Sequence, residues 1–273
     1  MGGEERVMRI GVAGCAGRMG RMLMQTVLET TGASLVGGLE APGHFAVGGD
    51  LGALAGVAPT GIRVGDDPSQ LFAVADVVID FSSPAATFEN AGNAEEHGTA
   101  LVVGTTGLGV EHREALTEAA RRVPVVVAAN MSVGVNVLLG LTQRVAAILG
   151  PDYDIEIVEM HHRHKVDAPS GSALALGRAA ADGRGIALDE AAVRVRDGYT
   201  GARLKGTIGF ATLRGGDVVG EHTVIFAGEG ERLEFTHRTS SRAIFAKGAV
   251  RAALWCAGRP PGLYSMRDVL GLE

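Results

Sequence analysis

Two cysteines and one tryptophan are all that 273 residues hold of either type, and aromatic residues together make up 4% of the chain. So few cysteines, with no repeating spacing, exclude a disulfide scaffold and suit a reducing compartment. Excess positive charge is missing too: 25 Lys and Arg face 31 Asp and Glu, a net charge of −6. That balance argues against a broad nucleic-acid footprint or a membrane-surface role. No apolar run of bilayer length stands out. The first eight residues carry Glu4 and Glu5 and no apolar core, so no signal peptide is expected. These absences lead to the expectation of a cytoplasmic protein with no nucleic-acid or membrane partner. What remains, 46% hydrophobic and 21% charged residues, is the composition of a folded protein long enough for one large or two medium domains.

The first informative stretch is a short apolar run, Val7-Met8-Arg9-Ile10-Gly11-Val12-Ala13, leading into Gly14-Cys15-Ala16-Gly17-Arg18-Met19-Gly20 and then a helical pattern. Strand, glycine-rich turn and helix form the context of a dinucleotide fingerprint. Ala16 stands where the usual pattern has its second glycine. Gly14 allows the tight turn, Gly17 lets the backbone approach a pyrophosphate, and Gly20 allows close helix–strand packing. The helix N-terminus adds donors and partial positive charge. Cys15 reads as a small turn residue with no redox role, and Arg18 as either a surface residue or one facing the phosphates. A second strand closes at Glu40, twenty residues past Gly20, the distance at which a carboxylate grips ribose hydroxyls.

Further βα units follow over residues 75–128, with a long Gly- and Pro-rich loop over 41–61 holding a short helical turn at 51–55. Their alternation predicts an α/β fold: a Rossmann-like, doubly wound parallel sheet. Ligands of such sheets bind beyond the carboxyl ends of the strands, so Phe81-Ser82, Gly104-Thr105-Thr106 and Ala128-Ala129-Asn130-Met131 are candidates for the cofactor cleft. A helix over 136–149 leads away. Residues 154–240 then turn strand-rich, with one clear helix over 172–181 and glycine turns at 215–217 and 228–230 between antiparallel neighbours. This predicts an α+β domain whose sheet has one open face, suited to self-association. The expected division is 1–132 for dinucleotide binding, 133–240 for substrate binding and oligomerisation, and 241–273 as a helix and tail returning to the first domain.

The densest chemistry lies in Glu159-Met160-His161-His162-Arg163-His164-Lys165-Val166-Asp167-Ala168-Pro169-Ser170-Gly171-Ser172-Ala173. Three histidines, an arginine and a lysine fall between a strand end and a helix N-terminus, both places where an anion can be held. In an acidic chain this knot points to a small anionic substrate. A metal site is not expected, because His161 and His162 point to opposite sides of an extended chain and no further ligand stands at metal spacing.

The string resembles the signature of the 4-hydroxy-tetrahydrodipicolinate reductase (dihydrodipicolinate reductase) family. The resemblance extends through Val103-Gly104-Thr105-Thr106-Gly107, Ser132-Val133-Gly134-Val135-Asn136, Gly220-Glu221-His222-Thr223 and Met266-Arg267-Asp268-Val269-Leu270. It implies reduction of a cyclic, unsaturated dicarboxylate by NADH or NADPH, giving tetrahydrodipicolinate and water in lysine biosynthesis. Carried onto this chain, His161 supplies the proton and Lys165 is the second catalytic position. His162 and the backbone of Gly171 and Ser172 bind carboxylates. Arg163 and His164 are read as supporting the loop. The resemblance also implies a homotetramer, and closure of the two domains during turnover.

Three positions depart from the family pattern. Ser172 replaces a common threonine, and Met131 a frequent phenylalanine. Ala41-Pro42-Gly43 follows Glu40 where some relatives carry an arginine that would pair with a 2′-phosphate. Unless His44 or Arg18 compensates, Glu40 would repel that phosphate, so NADH is expected to serve at least as well as NADPH. Two other classes fit the nucleotide half alone: a dehydrogenase for another amino-acid precursor and a non-catalytic nucleotide sensor. The cationic string speaks against the first, and the presence of both His161 and Lys165 against the second.

Overall fold

The computed structural model describes residues 7–272. Glu4 and Glu5, on which the reading of the N-terminus rests, lie outside the described residues. The chain divides into two compact units. One is formed by the described residues up to Ser132 together with Ala243–Gly271, the other by Val133–Arg242 with Leu272.

The first unit opens with β1 (Met8–Ala13), α1 (Arg18–Glu29), β2 (Ala33–Leu39), α2 (Leu51–Ala55), β3 (Val64–Gly65) and α3 (Pro68–Val74). It continues with β4 (Val77–Asp80), α4 (Pro84–His97), β5 (Ala100–Val103), α5 (Val110–Ala119) and β6 (Pro124–Val127). All four residues of β4 and all four of β5 are buried, the burial expected of strands covered on both faces by crossover helices. The helices begin where the local chemistry starts them. Asp67 and Ser83 cap α3 and α4 through bonds to Ser69 N and Ala86 N, each ahead of a proline in the first turn. Gly98 ends α4 in the left-handed conformation. Neither β3 nor α3 was expected from the sequence, since two strand residues carry no readable alternation and α3 is only seven residues long.

In the second unit come α6 (Val133–Leu149), a 3-10 turn, β7 (Asp154–His161), α7 (Gly171–Arg184), α8 (Leu188–Ala191), β8 (Ala192–Val193), β9 (Ile208–Arg214), β10 (Gly220–Ala227) and β11 (Arg232–Thr239). The strand order is β11-β10-β7-β9-β8. β10 runs antiparallel to β11 and β7, whereas β7–β9 and β8–β9 are parallel. The expectation of a hairpin at 215–217 is therefore wrong. β7 sits between β9 and β10, and the glycine turn passes over its end, where Gly215 N donates to the His161 carbonyl and Arg163 N to that of Gly216. Along β7 every second residue is buried. Ile155 and Ile157 join Leu138, Ala146, Ala173, Leu176, Phe210, Val224 and Phe226 in one core. Glu159 and His161 continue that inward row beyond the apolar part, as buried polar residues.

One expectation about membranes needs correction. Val133–Asp152 is long and apolar enough to cross a bilayer by length and composition. Its hydropathy has another use here: Leu138 and Ala146 on α6 pack into the core they share with α7, and a core helix passes the same test.

Returning to the first unit, α9 (Ala243–Trp255) packs on α1, and β12 (Gly262–Tyr264) pairs in parallel with β6 before α10 (Met266–Leu270). The sheet order is β12-β6-β5-β4-β1-β2-β3, parallel throughout. With its flanking helices this is the Rossmann arrangement, whose strand order reverses beside β1.

Candidate active site

In the first unit the glycine turn is set by steric demands. Gly14 has φ +74°, and a Cβ there would lie 2.7 Å from the Phe81 carbonyl oxygen. A Cβ on Gly20 would lie 2.1 Å from the Gly14 carbonyl oxygen, so α1 can approach β1 only without a side chain there. A cavity of about 670 Å³ opens at this turn, lined among others by Gly14, Ala16, Gly17, Glu40, Phe81 and Ser82. These surroundings fit a nucleotide: backbone at the start of a helix, space without side chains, and a carboxylate at the end of β2. The Glu40 carboxylate accepts a hydrogen bond from Ala16 N at 2.6 Å. Asp66, Glu89 and His44 also line the cavity, and among the described residues no Arg or Lys does.

Cys15 is fully buried behind the turn. Burial, with the neighbouring charge of Glu40, pushes its thiol up to about 12, so it stays a protonated packing group. Arg18 is exposed and Met19 half-buried at the start of α1, and neither lines the cavity. Thr105, Thr106 and Ala129 line a second cavity of about 630 Å³ beside α5. Gly104 packs against the Phe81 ring, Ala128 N donates to the Val103 carbonyl, and the Asn130 side chain accepts from Ser132 N. Met131 is a fully buried core side chain.

The two cavities are tied together by Asp80, which sequence reasoning did not single out. Its buried carboxylate accepts from Ser82 N at 2.9 Å, Asn90 Nδ2 at 3.1 Å and Thr105 Oγ1 at 3.2 Å. It thereby fixes the β4 and β5 loops together. A strand-ending Asp ahead of Ser-Ser was the only available signal.

In the second unit, His161 ends β7 with its ring largely buried. Its Nδ1 lies 2.6 Å from Glu159 Oε2, two residues earlier on the same strand face. Arg214, directly across on β9, holds Glu159 bidentately at 2.8 and 2.9 Å. Ser170 N donates to the same carboxylate at 3.0 Å. The His222 ring on β10 meets the His161 ring edge-on, with centroids 5.1 Å apart. Its Nε2 lies 3.3 Å from Ser170 Oγ, which also caps α7 by accepting from Ala173 N. Gly171 and Ser172 are thus the first two residues of α7, positions for which a helix itself supplies no carbonyl acceptor.

After β7 the chain turns sharply, with Lys165 N donating to the His162 carbonyl. Lys165 Nζ pairs with Asp167 Oδ1 at 2.8 Å. His162 Nδ1 is buried without a hydrogen-bond partner among the described residues, and its ring lies 6.2 Å from that of His164. The side chains of Arg163 and His164 are exposed. Glu159, Arg214, Ser170 and His222 were not among the expected site residues. Only Glu159 left a readable sign, a carboxylate spaced Glu-x-His on an alternating strand.

Proton affinities follow from this packing. Burial pushes the His161 imidazole below the ordinary histidine range, against the opposing pull of Glu159. Burial acts to raise Glu159, but the bonds from Arg214 and His161 outweigh it and hold the carboxyl below its usual range. His222, buried and beside His161, is pushed down to about 4. At neutral pH the site thus holds an ionised Glu159 and an uncharged His222.

A nucleotide-binding sheet combined with a buried histidine–carboxylate pair and a nearby lysine defines a nicotinamide-nucleotide-dependent oxidoreductase. The family models described as "Dihydrodipicolinate reductase, N-terminus" and "Dihydrodipicolinate reductase, C-terminus" match residues 8–131 and 134–270. A 4-hydroxy-tetrahydrodipicolinate reductase of Afipia carboxidovorans is 57% identical over 265 residues, covering 97% of each chain. One of Brucella abortus is 55% identical over 263 residues, covering 96% of this chain and 98% of that one. Among solved structures, a dipicolinate-bound dihydrodipicolinate reductase from Paenisporosarcina shares the fold with a TM-score of 0.77 at 24% identity, over 96% of this chain and 98% of that one. The chain belongs to the dihydrodipicolinate reductase family. Its reaction is the nicotinamide-nucleotide-dependent reduction of the cyclic 4-hydroxy dicarboxylate to tetrahydrodipicolinate and water, in lysine (diaminopimelate) biosynthesis.

Proposed function

We propose that His161 and Lys165 carry out this reduction, that His162 and the first N–H groups of α7 hold the substrate carboxylates, and that the nucleotide lies along the Gly14–Glu40 cavity. The observation that carries the reading is the linkage made by Glu159, whose carboxylate meets His161 Nδ1 at 2.6 Å and the N–H of Ser170, the cap of α7, at 3.0 Å, with Lys165 near enough for its charge to bear on His161. Gly171 and Ser172 offer backbone N–H groups and the positive end of a helix to one carboxylate. His162, with its unpaired Nδ1, suits a second. Lys165 is already paired with a carboxylate, that of Asp167. A substrate carboxylate competes for the same ammonium, which then stabilises the negative charge that grows on the ring. The nicotinamide nucleotide, when bound, supplies hydride to ring carbon C4 of the dehydrated substrate. His161 delivers the proton to the neighbouring carbon through its imidazolium form.

The nucleotide preference proposed is NADH at least equal to NADPH. Its support is the set of carboxylates around the cavity, Glu40, Asp66 and Glu89, with no lysine or arginine among the described lining residues to balance a 2′-phosphate. The working compartment proposed is the cytoplasm, which suits two unpaired buried thiols.

The test is a coupled assay in which aspartate semialdehyde and pyruvate are condensed by a synthase before this protein and NADH or NADPH are added. His161→Gln is expected to lower kcat at least a hundredfold with nucleotide affinity unchanged. Lys165→Ala is expected to lower kcat similarly and to raise KM for the dicarboxylate. Full activity in either variant removes that residue from the reaction. NADPH binding more than about tenfold tighter than NADH, roughly 1.4 kcal/mol, overturns the argument from Glu40.

A further inference from the structure

We infer that Glu159 is the positioning residue of the proton donor: its carboxylate fixes the hydrogen on Nδ1 of His161 and leaves Nε2 as the one nitrogen that exchanges a proton. The inference rests on the reading of His161 as that donor.

An ionised carboxylate has four lone-pair positions and no hydrogen to give. On Glu159 all four are taken. Oε2 accepts from His161 Nδ1 at 2.6 Å and Arg214 Nη1 at 2.8 Å. Oε1 accepts from Arg214 Nη2 at 2.9 Å and Ser170 N at 3.0 Å. A carboxylate so filled, 1% exposed and fixed by a bidentate guanidinium, stays ionised and takes no proton from the ring. The bond to His161 therefore requires hydrogen on Nδ1 in the neutral imidazole as well as in the imidazolium. This is the logic by which a third group selects the tautomer of a catalytic histidine.

The charges facing His161 give the carboxylate a second effect. Lys165 from the following loop and Arg214 from β9 both oppose a positive ring. His222 from β10 is held uncharged, and Gly220, where a Cβ would lie 3.2 Å from His161 Nε2, brings no side chain. Among the described residues Glu159 is the anionic group in direct contact with the ring, so it is what makes an imidazolium attainable at this buried position. Arg214 acts one step further out. Its Nη2 also donates to the Asp167 carbonyl at 2.6 Å, so the same guanidinium fixes Glu159 and the loop that follows Lys165.

Two measurements decide the matter. The first is the 15N spectrum of the imidazoles in the wild-type protein, with His161 assigned by comparison with His161→Gln. A neutral ring with Nδ1 protonated and Nε2 bare is expected, and a ring protonated on Nε2 overturns the inference outright. The second is the pH profile of kcat for Glu159→Gln and Glu159→Asp. Loss of the anion lowers the pKa of His161. Since the protonated ring is the active form, the alkaline limb of the Glu159→Gln profile is expected to move at least one pH unit lower, with kcat down a hundredfold or more and nucleotide KM within twofold of wild type. Glu159→Asp, which restores the charge, is expected to return the limb toward the wild-type position. A fall in kcat with the limb unmoved marks a purely structural role and overturns the inference, as does an unchanged kcat. If His161→Gln itself keeps its kcat, the reading of His161 fails instead, and the two failures are told apart.

Discussion

A histidine buried without a charge partner makes stability depend on pH, and His222 is such a residue. It is 4% exposed, its Nδ1 has no partner among the described residues, and burial brings its pKa from 6.5 to about 4. Between those values the unfolded chain binds a proton that the folded chain does not. Stability is therefore complete above about pH 6.5 and is lost as pH falls toward 4, by at most about 3.5 kcal/mol from this group. Urea denaturation of wild type at a series of pH values is expected to show that slope, and His222→Gln to flatten it whatever its effect on stability at pH 7. An equal slope in both proteins would assign the pH dependence to other groups. Residues such as this mark a limit of reading a sequence. The Glu159–His161 pairing follows from strand alternation, whereas nothing local says that Arg214 or His222, more than fifty residues away, shares that carboxylate's surroundings.

Among the elements, the β1–α1 unit states its geometry most directly in its residues. Gly20→Ala places a methyl group 2.1 Å from the Gly14 carbonyl oxygen and 2.6 Å from the Cys15 Cα, and these are backbone atoms that cannot turn aside. The expected cost is about 1–3 kcal/mol of stability from overpacking, together with weaker nucleotide binding because the turn must open. Thermal unfolding and a nucleotide titration by fluorescence check both, and an alanine variant equal to wild type in each would refute the packing argument. Long elements with clear periodicity, such as α1, α6 and β10, were legible, and so was the doubly wound parallel sheet. The short β3 and α3 were not. The turn at 215–217 misled because Gly-Gly-Asp is a sound hairpin signal. The partner of β9 was decided instead by β7, which enters the sheet between β9 and β10 through non-local pairing.

At the scale of the whole molecule, each unit has its own core, and each leaves some apolar side chains in solvent, Phe45 and Val110 in the first among them. In the second, Leu213 is 50% exposed, Leu204 73%, Val195 78% and Tyr199 fully. A homotetramer assembled through this unit, the state the family resemblance implies, is proposed to cover them. Sedimentation equilibrium is expected to give a mass four times that of the 28.1 kDa chain, and Leu204→Glu to reduce it. A concentration-independent monomer would refute the assembly. What the sequence determined by itself were the properties carried by neighbours along the chain: the glycine turn, the acid at Glu40, the alternation of strands and helices, and the cationic string after β7. These are legible because backbone conformation and local polarity are set within a few residues. Only the tertiary structure decided that Arg214 and His222 gather around the Glu159–His161 pair, and that Asp80 ties the β4 and β5 loops together. Those contacts join residues remote in sequence, and they exist because strand pairing and burial bring polar groups into surroundings where each must find a partner.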